Sequence, residues 1–188
     1  LVPVALVALI AAQCPPVDRP GSGAQLYLSP QSNPMALSND GTRLYVANTT
    51  SGTLTMLDVS NPFQPSEVAE IKVGHDPVGV AVRPGLVNGD ELIFVVNHIS
   101  DSISVVSRRR LAVVQTIQAL DAEGVTQTDE PVGIAFASPS RAFVTLDHPN
   151  QVIVLDVDAQ GRATIAEQRI PITAQAPRGL TVEGGKLY

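Results

Sequence analysis

The chain has 188 residues, 44% of them hydrophobic, 16% charged and 4% aromatic, which is enough apolar material for one sizeable core. Twelve Lys and Arg against 18 Asp and Glu leave a net charge of −6, which speaks against nucleic acid as a partner, since sequence-independent binding requires a basic surface. The single cysteine excludes a disulfide framework and any Cys-rich zinc or iron–sulfur site.

Residues 1–12 carry no charge and no strongly polar side chain. As a helix they would measure about 18 Å, short of the roughly 30 Å hydrocarbon core. An export leader at 1–14 is therefore expected rather than a membrane span. A first residue Leu1 instead of Met, and a last residue Tyr188 inside an apolar pattern, are expected of a fragment. Cys14 after Gln13 resembles a bacterial lipoprotein signal, which implies lipidation at Cys14. Residues 15–23, rich in Pro and Gly without periodicity, read as a flexible tether. Export is the expectation, to the periplasm or outer surface, with membrane contact only through the leader or lipid anchor.

From there the chain repeats itself. The aromatic positions Tyr45, Phe94 and Phe143 are 49 residues apart, and Asp58, Ser107 and Asp156 each follow 13 residues later. Each unit opens on a proline: Pro34-Met35-Ala36-Leu37, Pro77-Val78-Gly79-Val80, Pro131-Val132-Gly133-Ile134 and Pro177-Arg178-Gly179-Leu180. Within a unit the apolar runs last four to six residues, are rich in Val and Ile, and end on Gly, Asn, Asp or Pro, which is strand chemistry. In the second unit they cover 78–82, 92–96, 103–106 and 113–117. Four strands repeated every 40–50 residues or so predict an all-β fold, a β-propeller of four-stranded antiparallel blades. The blades are expected at 33–73, 76–118 and 130–172, with an incomplete one at 176–188. Residues 25–28 precede the first unit as 70–73 and 169–172 precede later ones, and are expected to supply an outer strand that closes the ring.

Asn39-Asp40-Gly41 followed by Leu44-Tyr45-Val46-Ala47-Asn48 resembles the YVTN-repeat family of β-propellers, as does the run from Asn97 to Val106. The resemblance covers about residues 25–188, with Leu146 standing where the repeat has Asn. It implies seven blades in a whole protein, exported or attached to the bacterial surface. The absence of Trp sets the chain apart from WD40, Asp-box and quinoprotein propellers.

In such blades the strands run a to d from axis to rim, with the d-to-a connections and b–c loops on one face. His75 falls in a d-to-a connection, and His98 and His148 in b–c loops, with Asp76, Asp101 and Asp147 beside them. Imidazole and carboxylate together suit a divalent metal. A calcium-loop pattern is approximated by Asp156, Asp158, Gln160 and Gly161 with Glu167 beyond, although a plain c–d hairpin uses the same residue types. Arg108-Arg109-Arg110 at a c–d turn reads as a solvated hairpin end. Residues 86–91 and the acidic stretch 121–130 lengthen two connections, as recognition loops often do. No nucleophile–base pair, phosphate loop, CxxCH haem motif or other cofactor signature occurs. The expected function is a binding scaffold for a protein, glycan or small ligand on the b–c/d-to-a face. The alternative is part of an enzyme or redox protein, lactonase-like or joined to a haem-bearing region.

Overall fold

The computed structural model describes residues 30–173 and 175–188. The leader, the tether, Cys14 and the expected closing strand at 25–28 lie outside the described residues. Every described element is a β-strand, so no described helix is long and apolar enough to cross a membrane. Blade 1 comprises β1 (Met35–Leu37), β2 (Arg43–Asn48), β3 (Thr53–Asp58) and β4 (Ser66–Lys72). Blade 2 comprises β5 (Pro77–Val82), β6 (Leu92–Asn97), β7 (Ser102–Ser107) and β8 (Ala112–Ile117). Blade 3 comprises β9 (Pro131–Ser138), β10 (Arg141–Leu146), β11 (Gln151–Val157) and β12 (Ala163–Pro171). Each is a four-stranded antiparallel meander with its strands in sequence order.

The fourth repeat differs from expectation. Pro177 to Leu180 is irregular, and the pairing begins later, as a short hairpin of β13 (Val182–Glu183) and β14 (Lys186–Leu187). The outer strands also start earlier than the repeat predicts, at Ser66 and Ala163. At β4 the rim position explains this, since its first residues Ser66 and Glu67 are polar and exposed; β12 instead opens on Ala163, buried against blade 2.

Burial follows each strand's place in the stack. All six residues of β6 and all six of β7 are buried, because blade 2 is covered on both faces. That is why these strands read as continuous rather than alternating apolar runs. Alternate residues serve the two neighbours: Ile93 and Val95 pack with Tyr45, Leu54 and Met56 of blade 1. Phe94 and Val96 pack with Ile134, Val144, Ile153 and Leu155 of blade 3. Phe94 meets Phe136 edge-on at a ring separation of 5.0 Å.

The repeat extends to its irregularities. The c–d strand pairs slip register beside Met56, Val105 and Val154, positions 49 residues apart, and such bulges increase strand twist. Where the Asn that ends the second strand is present, it ties its b–c turn together. Asn48 Nδ2 donates to the hydroxyls of Thr53 and Thr55, and Asn97 Nδ2 to those of Ser102 and Ser104. In blade 3 the partners change together, Leu146 and Ile153 both being fully buried. Leu146 and Ile153 thus replace the donor and one acceptor together, while the other acceptor position holds the half-buried Gln151.

Besides apolar packing, close backbone approach and polar contacts hold the blades to one another. Near the axis, a Cβ on Gly79 would lie 2.9 Å from the Val132 carbonyl oxygen, and one on Gly133 only 2.3 Å from that of Arg178. The proline-x-glycine openings therefore let each first strand approach the next. At the rim, the Gln115 amide imitates a peptide group, donating to the Ala163 carbonyl at 2.6 Å and accepting from its N–H at 2.9 Å. Between blades 1 and 2 the Glu91 carboxylate, 2% exposed, accepts from Asn39 N at 2.7 Å, Asn39 Nδ2 at 2.9 Å and the Tyr45 hydroxyl. Arg108 completes this joint, with Nη1 at 2.9 Å from Asp40 and 3.6 Å from Glu91. It is thus a structural ion-pair partner, unlike the solvated hairpin end expected from sequence; Arg109 and Arg110 remain exposed.

Denaturant titrations test these joints. Gly133→Ala should lower stability by about 1–3 kcal/mol, because backbone rather than a flexible side chain stands in the way. Gly179→Ala, with nothing within 4 Å of its Cβ, should be nearly neutral. Tyr45→Phe should cost about 1–3 kcal/mol by leaving Glu91 a donor short. Burial, foremost, and the bond to Glu91 push the Tyr45 phenol well above its ordinary value. A raised pKa contributes stability in full below the unfolded value of about 10, and this is lost as pH climbs toward the folded value. The native chain should therefore lose stability above about pH 10 more steeply than Tyr45→Phe does.

Candidate functional site

On the d-to-a/b–c face, each connection into a new blade passes through a left-handed residue just before its proline: Asp76 (φ 57°), Glu130 (φ 46°) and Ala176 (φ 53°). The b–c turns carry a second such residue, Asp101 (φ 46°) or Asn150 (φ 49°). For residues other than glycine this conformation is uncommon and needs local support. The two sets supply it across blades: Asp101 Oδ1 accepts from Glu130 N at 3.0 Å, and Asn150 Oδ1 from Ala176 N at 2.8 Å. Within a blade, the Asp76 carbonyl accepts from His98 N at 2.9 Å, and the Glu130 carbonyl from Asp147 N at 3.0 Å. His98 and Asp147 are thus the same position of successive repeats, 49 residues apart.

This backbone arrangement brings together His98 from blade 2 with Glu130 and Asp147 from blade 3. One potential ligand atom of each lies within 4.8 Å of the others, and all three side chains are half-buried. Arg178, from the approach to the fourth blade, reaches over with Nη2 3.4 Å from Asp147 Oδ2. His98 Nδ1 and Arg178 Nη1 are buried with no hydrogen-bond partner among the described residues. The assembly therefore offers an imidazole, two carboxylates and one guanidinium to whatever enters between the blades, enough to bind a cation or a hydrogen-bonding ligand.

The three histidines all fall on the loops expected for them, but only His98 joins this group. His75 is exposed, its backbone N–H donating to Ser100 Oγ at 3.0 Å, and His148 is exposed at a turn tip. Asp76 is buried under the b–c turn, and Asp101 is the backbone acceptor just described. The calcium-loop residues are not gathered into a ligand group among the described residues. Asp156 pairs with Arg141 at 3.0 Å, while Asp158 Oδ1 accepts from the backbone N–H groups of Gln160 and Arg162 at 3.0 and 2.8 Å. Glu167 is exposed on β12. Sequence reasoning missed Glu130 and Arg178 as site residues. The signal for both was their fixed offset from the unit prolines, one residue before Pro131 and one after Pro177.

No protein-family model and no curated protein matches the chain. Solved structures do. Hydrazine synthase of Kuenenia stuttgartiensis is similar at 23% identity and a TM-score of 0.63, over 86% of this chain and 42% of that one. A protein from Lactobacillus plantarum matches at 20% identity and a TM-score of 0.64, over 79% and 43%. A putative 6-phosphogluconolactonase from Bacteroides uniformis matches at 17% identity and a TM-score of 0.61, over 82% and 49%. The chain spans less than half the length of each of these proteins. Identities this low speak for architecture alone, and the architecture, successive four-stranded antiparallel blades packed face to face, is that of a β-propeller.

Proposed function

We propose that this chain is part of an exported or cell-envelope β-propeller of the YVTN-repeat kind that acts as a binding scaffold. Its ligand, whether protein, glycan or small molecule, is held on the face built by the d-to-a connections and b–c loops. The observation that carries the reading is the gathering of His98, Glu130, Asp147 and Arg178 on that face from three successive repeats. The apolar blade faces already supply the core, and two of these polar groups have buried nitrogens with no hydrogen-bond partner among the described residues, which supports a recognition role for them. A stack of sheets behind them fixes their positions, as binding loops on rigid scaffolds require. The uncharged leader, with Cys14 as a lipid attachment point, supports export and is the proposed route to the membrane surface.

Photo-crosslinking in intact cells tests the choice of face. A photoreactive residue placed at Ile99, exposed at the b–c turn, should give several-fold more adduct than one at Arg110, exposed at the c–d turn opposite. Equal yields from the two positions, or a preference for Arg110, would overturn the reading.

A further inference from the structure

We propose that His98, Glu130 and Asp147 form a binding site for a borderline divalent cation, zinc in preference to calcium, at the junction of blades 2 and 3. The inference deepens the binding-scaffold reading, since it rests on this face being the one that takes ligands.

The donors come from elements fixed by the fold. His98 and Asp147 occupy one repeat position, each held by its backbone N–H to the carbonyl of the residue before its blade's proline. Glu130 is that residue in blade 3, clamped by its N–H to Asp101 and by its carbonyl to Asp147. Their ligand atoms already lie within 4.8 Å of one another. A bound ion needs each at about 2.0–2.2 Å, so small side-chain rotations suffice to close the cage. One nitrogen and two carboxylate oxygens form a mixed donor set, which favours zinc or manganese over the all-oxygen preference of calcium.

The charge balance points the same way. Among the described residues, the ion pairs of these two carboxylates come to one, that of Asp147 with Arg178. The Glu130 carboxylate has no hydrogen-bond or ion-pair partner among the described residues, and His98 Nδ1 is buried and unpartnered. Bringing two carboxylates together is unfavourable unless positive charge or a proton lies between them. A divalent ion supplies that charge and uses the imidazole as well. Asp147 can offer one oxygen to the ion while keeping the other near Arg178. Three protein ligands leave at least one coordination position open, to be filled by water or by an oxygen of the scaffold's ligand.

The test is a zinc titration of the full-length protein, stripped with chelator, followed by calorimetry and by competition with a chromophoric zinc indicator. The expected result is one equivalent of tightly bound zinc, with calcium at least 10-fold weaker. His98→Asn and Glu130→Gln should each weaken zinc at least 10-fold, as ligand loss does, while their circular dichroism and zinc-free melting temperature stay near those of the parent. Asp147→Asn provides a third variant should either of these fail to fold. His75→Ala and His148→Ala, which alter exposed imidazoles outside the group, should leave zinc binding unchanged. Absence of stoichiometric zinc overturns the proposal, as does zinc binding that survives the site variants or depends instead on His75 or His148. If zinc binding is absent but crosslinking from Ile99 persists, the cation is wrong and the binding face stands. If crosslinking is also lost, the scaffold reading falls with it.

Discussion

A sheet with two apolar faces must be covered twice, and blade 2 shows what that requirement does to a chain. Every residue of β6 and β7 is buried, with Ile93 and Val95 turned to one neighbour and Phe94 and Val96 to the other. Neither face can be satisfied by the blade itself. Repetition, stacking and the close approach of first strands at Gly79 and Gly133 are all consequences of burying both. The polar joints are arranged around this packing: Glu91 and Arg108 between blades 1 and 2, and Gln115 bridging to Ala163 at the rim.

The residues gathered on the d-to-a/b–c face are held differently from that core. Most residues inside the sheets are apolar, and the polar ones bond within a hairpin, as Asn97 Nδ2 does to Ser102 and Ser104, or across to the next blade, as Gln115 does. At positions immediately outside, His98, Glu130 and Asp147 are fixed through backbone hydrogen bonds rather than through their side chains. His98 and Asp147 are held by their N–H groups and Glu130 by both its N–H and carbonyl. Substituting such a side chain need not disturb the backbone that positions it. The same repeat position carries His in blade 2 and Asp in blade 3, whereas in blade 1 it is Thr49, whose hydroxyl is committed to the Pro77 carbonyl at 2.9 Å.

Much of the architecture was legible because it is periodic. The spacing of Tyr45, Phe94 and Phe143 anticipates the blades, and the strand limits in blade 2 agree with the apolar runs to within a residue. What the sequence hid was relational. Arg108 looks like part of a basic cluster, yet it turns inward because Asp40 and Glu91, distant in sequence, lie beside it. Leu146 looks like a defect in the repeat until Ile153 is seen to have changed with it. The three histidines share a face, as their loops predict, but a shared face is wider than a site. Only the junction between blades brings His98 to Glu130 and Asp147. That contact depends on how consecutive blades are offset, which residue spacing alone does not contain.

Hydrogen exchange resolved to single strands addresses the central claim, that blade 2 is held by burial on both faces. The slowest amides should lie in Leu92–Asn97 and Ser102–Ser107, and they should become exchangeable in one cooperative step together with Arg141–Leu146 of blade 3. Exchange in β6 and β7 as fast as in the rim strands β4 and β8, or opening of blade 2 independently of blade 3, would contradict it.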